Sequence, residues 1–193
     1  DRRVLEVLRE PLESGKVAIS RAARQVEFPA AFQLIAAMNP CPCGYLGHQS
    51  GRCRCTPDQV ARYRGKLSGP LLDRIDIQVE VPSLREEELF SQSRGECTDV
   101  VRARVEQARR LQLERQGGSN AQLSGAFLDQ HCKASEKGLS LLKQAITRLN
   151  LSARAHFRVL KLARTIADLD GSPGMAPAHI AEAIQYRRLQ IGV

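Results

Sequence analysis

Tryptophan is absent from this 193-residue sequence, and aromatic residues of any kind make up only 4% of it. A core built here must therefore rest on Leu, Ile, Val and Ala. No apolar run approaches the roughly 20 residues that span a bilayer, which excludes a helical anchor within these residues. No secretory signal pattern opens the chain, and a cytoplasmic location without a membrane partner is an expectation, inferred and not read from that absence. The first residue is Asp1, with a helical pattern already under way, as expected of a piece cut from a longer protein. Also missing is any Gly-x-x-x-x-Gly-Lys-Ser/Thr run. With it go the backbone cradle and the lysine that grip β- and γ-phosphates. There are no internal repeats and no long low-complexity tracts.

What is present in excess is positive charge. Lys and Arg number 29 against 21 Asp and Glu, a net charge of +8. Such a balance favours polyanions (DNA, RNA, nucleotide phosphates) without choosing among them. The 42% apolar content is ordinary for a globular protein, and the length allows one substantial core or two small ones.

Val4, Leu5, Leu8 and Leu12 fall at helical spacing, and Pro11 is expected to end or kink that helix before the break at Ser14-Gly15. Residues 17–21 and 25–28 read as a hairpin around Ala22-Ala23, with Arg21 and Arg24 near its tip. Residues 32–38 are continuously apolar and stop at Asn39-Pro40, the pattern of a buried strand. A Gly-, Cys- and Arg-rich loop covers 40–56, followed by a short polar helix to about Lys66. Residues 75–81 alternate with period two, which predicts a second strand, and 83–99 are polar and linker-like.

From Val100 onward the pattern is helical. Val101, Val105 and Ala108 share one stripe, with Arg102 and Arg109 beside it, and Leu139, Leu142, Ile146 and Leu149 share another. Ala155, Val159, Leu162, Ile166 and Leu169 form a third, between Ser152 as N-cap and Gly171 as stop. Pro177 opens a last helix with Ile180 and Ile184 facing inward. The expected architecture is α/β plus α: the tail of an α/β domain over 1–95, then a small helical bundle over 96–193.

Cys41-Pro-Cys43 and Cys53-Arg-Cys55 are two C-x-C pairs nine residues apart. Four thiolates in two close pairs can complete a tetrahedral Zn²⁺ site, with Gly44, Gly47 and Gly51 giving the loop room and His48 as a reserve ligand. The spacing is tighter than the usual C-x₂₋₄-C, and free thiols or a disulfide are the alternatives. Cys97 and Cys132 stand alone, and His131, His156 and His179 belong to no pattern.

Four segments together resemble a known family: Leu8-Arg-Glu-Pro-Leu-Glu-Ser-Gly15, Ala36-Ala-Met-Asn-Pro-Cys-Pro-Cys-Gly44, Ser68-Gly-Pro-Leu-Leu-Asp-Arg-Ile-Asp76, and Ser152-Ala-Arg-Ala-His-Phe-Arg158 running on to Gly171. Their order and spacing resemble the ComM/YifB-type Mg-chelatase-like AAA+ ATPases over essentially the whole chain. More distantly they resemble chelatase ATPase subunits and MCM helicases.

The resemblance implies a homo-hexameric ring using ATP and Mg²⁺. This chain would hold the C-terminal part of the AAA+ core (hairpin, sensor-1 strand, arginine-finger strand) and the helical lid. Lacking the P-loop, it is expected to be inactive alone. The resemblance makes Asn39 the sensor that orients the attacking water, where the residues alone show a strand-ending turn. It makes Arg74 the arginine finger, where an Arg paired to Asp73 or Asp76 would serve as well. Arg154 becomes the lid's phosphate-sensing arginine, ahead of Arg158 and Arg164. Arg21 and Arg24 become DNA contacts in a ring channel, against the plainer role of keeping a hairpin edge soluble. The implied task is helicase or branch-migration work on imported DNA during recombination. Two other readings stay open: the ATPase subunit of a metal-chelatase complex, and a zinc-stabilised DNA-binding module.

Overall fold

The structure, a computed structural model, describes residues 2–21, 24–84, 90 and 95–187. The chain forms two compact units, Asp1–Ile75 and Asp76–Leu189.

The first unit opens with α1 (Arg2–Val7) and α2 (Arg9–Ser14). The break falls at Leu8 and not at Pro11. Pro11 lies in the first turn of α2, where backbone N–H groups have no intrahelical acceptor, so its missing donor is harmless. Gly15 ends α2 at φ 68, a left-handed conformation open to glycine, and its N–H bonds the Pro11 carbonyl at 2.9 Å. The expected hairpin follows as β1 (Lys16–Arg21) and β2 (Arg24–Pro29), antiparallel with Val17 opposite Phe28, Ile19 opposite Val26 and Arg21 opposite Arg24. The Ala22-Ala23 turn lies outside the described residues. Beyond the cysteine loop come α3 (Pro57–Arg64) and the single turn α4 (Gly69–Leu72). Thr56 starts α3 with a capping box: it accepts the Gln59 N–H at 3.3 Å, and the Gln59 side chain accepts the Thr56 N–H at 3.0 Å.

Two expected strands do not form here. Residues 32–38 and 75–81 are irregular, and apart from the half-buried Leu34 and Ile75 their apolar residues are exposed, Ile35 at 85% and Val81 at 84%. A strand exists only where a neighbouring backbone completes its hydrogen bonds. Among the described residues β1 and β2 are the only paired strands. The segment near 75–81 instead makes one bond to helix, the Gln78 N–H donating to the Tyr186 carbonyl at 2.9 Å.

The second unit is helical, with α5 (Thr98–Gln116), a 3-10 turn (Asn120–Gln122), α6 (Gly125–His131), α7 (Glu136–Leu149), α8 (Ala153–Leu169) and α9 (Pro177–Gln185). Ser135 and Ser152 cap α7 and α8 by accepting the N–H groups of Gly138 and Ala155, each at 3.2 Å. Helix α8 packs on α5 and α9, and α9 on α7. Leu142, Val159, Ala163, Ala167 and Ile180 are fully buried at the centre. The buried stripe of α8 is Ala155, Val159, Ala163 and Ala167, while the expected Leu162 and Ile166 sit at its edge and Leu169 is exposed. Small side chains let the helices approach closely, so the stripe centres on alanine and the leucines flank it. On α5 only Ala108 and Gln112 are buried, and Val105 faces outward.

Candidate functional site

The cysteine loop is assembled by three glycines in left-handed backbone, Gly44, Gly47 and Gly51, at φ 82, 80 and 61. They fold the chain so that both C-x-C pairs meet. Cys41 and Cys43 sulfurs lie 3.3 Å apart, Cys41 and Cys53 3.8 Å, Cys43 and Cys53 3.6 Å, and all four including Cys55 fall within 4.8 Å of one another. Thiolates at about 2.3 Å from a tetrahedral Zn²⁺ stand about 3.8 Å apart, so the donor set and its spacing fit that ion. Cys41 is buried, Cys53 and Cys55 half-buried, and Cys43 at the surface.

Backbone donors prepare the sulfurs for negative charge. The Tyr45 N–H, with further bonds from Cys41, Cys55 and the Arg54 N–H, brings the Cys43 thiol down to about 6. Burial pushes Cys41 up, yet bonds from the Leu46 and Cys43 N–H groups and from Cys53 leave it lowered. Backbone bonds from Cys55 and Cys43 lower Cys53 and Cys55 respectively, but burial and the neighbouring sulfurs outweigh them, leaving Cys53 raised and Cys55 at about 12. Four thiols this close cannot all ionise unaided, and a dication at their centre removes the conflict.

Arg74 lies in the same unit, its side chain only 9% exposed. It donates to the Glu13 carboxylate and to the Pro70 carbonyl at 2.7 Å, and Glu13 is a partner that sequence spacing did not suggest. Glu13 belongs to the first family-like segment and Arg74 to the third, and the fold brings them together. Asn39 is exposed, with its amide beside Gly44, where an added Cβ would stand 3.6 Å from Nδ2. Arg64 Nε donates to the Pro40 carbonyl at 3.1 Å and ties α3 to the loop's start. Arg24 is exposed on β2, and Arg21 ends β1 opposite it.

In the second unit Arg154 is exposed in the first turn of α8. Arg158 pairs with Asp76. Arg164 is 3% exposed and donates to Asp168, to the Ser172 carbonyl at 2.7 Å and to the Pro173 carbonyl at 3.1 Å, which makes it a structural residue. Sequence reasoning missed its wider network. Arg115 reaches Asp168 at 2.6 and 2.9 Å, and Asn120 reaches it at 2.7 Å. The one readable signal was the four-residue spacing of Arg164 and Asp168 on a helix. Cys132, buried nearby, has its thiol pushed up to about 11 by burial, as befits an inert core residue.

A four-cysteine cluster and a β-hairpin in one unit, with a capped helical bundle in the other, define a class that the family comparisons specify. One family model, magnesium chelatase subunit ChlI, matches residues 1–89, and a second, magnesium chelatase subunit ChlI C-terminal, matches residues 95–187. The chain belongs to the Mg-chelatase-like family of AAA+ ATPases. It is 46% identical over 191 residues to competence protein ComM of Haemophilus influenzae, a match covering 98% of this chain and 37% of the relative. It is 43% identical over 191 residues to the uncharacterized protein YifB of Escherichia coli, with the same two coverages. Rv2897c of Mycobacterium tuberculosis, also uncharacterized, is 39% identical over 188 residues, 95% of this chain and 37% of the relative. The chain thus spans a little over a third of the length of these relatives. No helix among the described residues is long and apolar enough to cross a membrane.

Proposed function

We propose that this chain is the sensor-and-lid part of an ATP-dependent AAA+ ring motor that acts on DNA, a homo-hexamer working in the cytoplasm as a helicase or branch-migration enzyme on imported DNA. The relative called a competence protein and the net charge of +8 favour DNA as the substrate. In this reading residues 1–95 complete an α/β core and 96–193 form its lid. The exposed apolar segments 32–38 and 75–81 support it, because they are strand-like surfaces that a larger sheet would cover.

The observation that carries the reading is the position of Arg74. Its guanidinium is held by Glu13 against the Pro70 carbonyl, sheltered but already facing a carboxylate. A phosphate oxygen from a neighbouring subunit offers the same fork-shaped guanidinium a stronger partner, so the Glu13 pair is a rest position for an arginine finger. Asn39 orients water, Arg154 couples the lid to the nucleotide, and Arg21 and Arg24 meet DNA phosphates in the channel. Cys41, Cys43, Cys53 and Cys55 hold a structural Zn²⁺ beside Asn39. ATP and Mg²⁺ serve the longer protein. This sequence has no phosphate cradle, so alone it does not turn over ATP.

The test is Arg74→Ala in the full-length protein. ATP turnover falls by about 10³-fold or more while ATP binding persists, and mixing with a P-loop variant restores part of the activity through mixed interfaces. Turnover near the parent rate would remove Arg74 from this role. The second reading, a metal-chelatase ATPase subunit, draws on the descriptions of both matching family models. A full-length ATPase indifferent to DNA would favour it.

A further inference from the structure

Residues 28–72 contain one carboxylate, Asp58, against five cations, Arg52, Arg54, Arg62, Arg64 and Lys66. That is a local net charge of +4, half the chain's +8 in under a quarter of its length. Some arginines elsewhere face carboxylates, Arg9 with Glu6, Arg104 with Glu96, Arg115 with Asp168. Arg52, Arg54 and Arg62 are exposed, and their side chains make no ion pair or hydrogen bond among the described residues. Four thiolates around a dication would carry a charge of about −2 at the loop's centre, and the surrounding cations still outweigh it.

Aromatic surface accompanies the charge. Tyr45 and Arg54 lie within two residues of Cys43 and Cys53, whose sulfurs are 3.6 Å apart, so the folded loop carries both residues next to the cysteine cluster. The Tyr45 side chain is 41% exposed, in a chain with few aromatics, and stands edge-on to the exposed His48 at 5.8 Å and 82°. Cations that donate to phosphate oxygens, together with an exposed aromatic ring, are the two components of a single-strand platform. A duplex offers the phosphates but keeps its base faces stacked internally.

We propose that the cysteine-held loop and α3 form a contact surface for single-stranded nucleic acid, with Arg52, Arg54 and Arg62 on backbone phosphates and Tyr45 stacked on an unpaired base. This surface is separate from the hairpin arginines, and its test needs no ATP, so it fails or stands apart from the motor reading. The probe is a fluorescent oligothymidine of about 20 nucleotides, titrated with this chain across a salt series. Arg52→Ala with Arg54→Ala weakens binding about tenfold at low salt and lowers the salt slope by about 1.4, roughly 0.7 for each lost phosphate contact. Tyr45→Ala weakens binding about fivefold or more with the slope unchanged, while Tyr45→Phe binds as the parent does. Unchanged metal content and circular dichroism show that each variant keeps its fold. The proposal is overturned if the parent chain does not bind the oligomer at low salt, or if Arg24→Ala carries the loss while the loop variants bind normally. Equal affinity for a duplex with no effect at Tyr45 also overturns it.

Discussion

Asp168 is 1% exposed and receives hydrogen bonds from Arg115, Asn120 and Arg164. Burial alone would raise its pKa, but the bonds from Arg115 and Asn120 and the charge of Arg164 outweigh it and leave the carboxyl below its ordinary value. A depressed folded value means that the carboxylate stabilises the helical unit at pH above the ordinary Asp range, and that this contribution is lost as pH falls through the folded value. Asp168→Ala should cost about 3–5 kcal/mol at neutral pH, because two arginines then face each other in the interior without their anion. Denaturant melts of both proteins should show that difference shrinking as pH drops below about 4. A difference independent of pH would mean that the ionised form is not what matters. The Arg164 partner was readable from spacing on α8, whereas Arg115 and Asn120 come from elsewhere in the chain and needed the fold.

At the scale of elements, capping and stop residues were reliable guides and face assignment was not. Ser152, Gly171 and Pro177 bound α8 and α9 as expected, since caps act through the adjacent backbone. The buried stripe of α8 is offset toward alanines because its depth depends on how closely α5 and α9 approach. Gly138 on α7 marks another close approach, where an added Cβ would lie 2.7 Å from the Ile180 Cδ1. Ile180 is fully buried and β-branched, so it has little freedom to yield. Gly138→Val should therefore destabilise the second unit by about 1–3 kcal/mol in a thermal or urea melt. Stability equal to the parent would show that the α7–α9 contact is looser than its geometry. Pro11 gives the opposite lesson, a residue expected to break a helix that is harmless in a first turn.

For the molecule as a whole, two compact units with their own interiors predict separable unfolding. The first has few buried apolar residues among those described apart from Cys41 and Leu71, and the four-cysteine cluster joins distant parts of its loop. A strong chelator should lower the melting of this unit by several degrees and leave the transition of the helical unit in place. Calorimetry with and without chelator, on reduced protein purified without it, measures this directly. Elemental analysis of the same sample should find about one Zn²⁺ per chain. Absent metal and a chelator-insensitive scan would leave free thiols or a disulfide as the state of Cys41, Cys43, Cys53 and Cys55.

The amino-acid sequence by itself determined what depends on neighbours along the chain: the hairpin, the capped helices, the glycine-shaped cysteine loop and the order of the family's segments. These follow from local dihedral preference, capping and short-range spacing, which no distant contact has to supply. Tertiary structure decided what depends on residues far apart. It brought the Glu13 carboxylate to Arg74, 61 residues away along the chain, and it gathered Arg115, Asn120 and Arg164 around Asp168. It also left 32–38 and 75–81 unpaired among the described residues, because alternation and apolarity fit a strand while only a neighbouring backbone makes one.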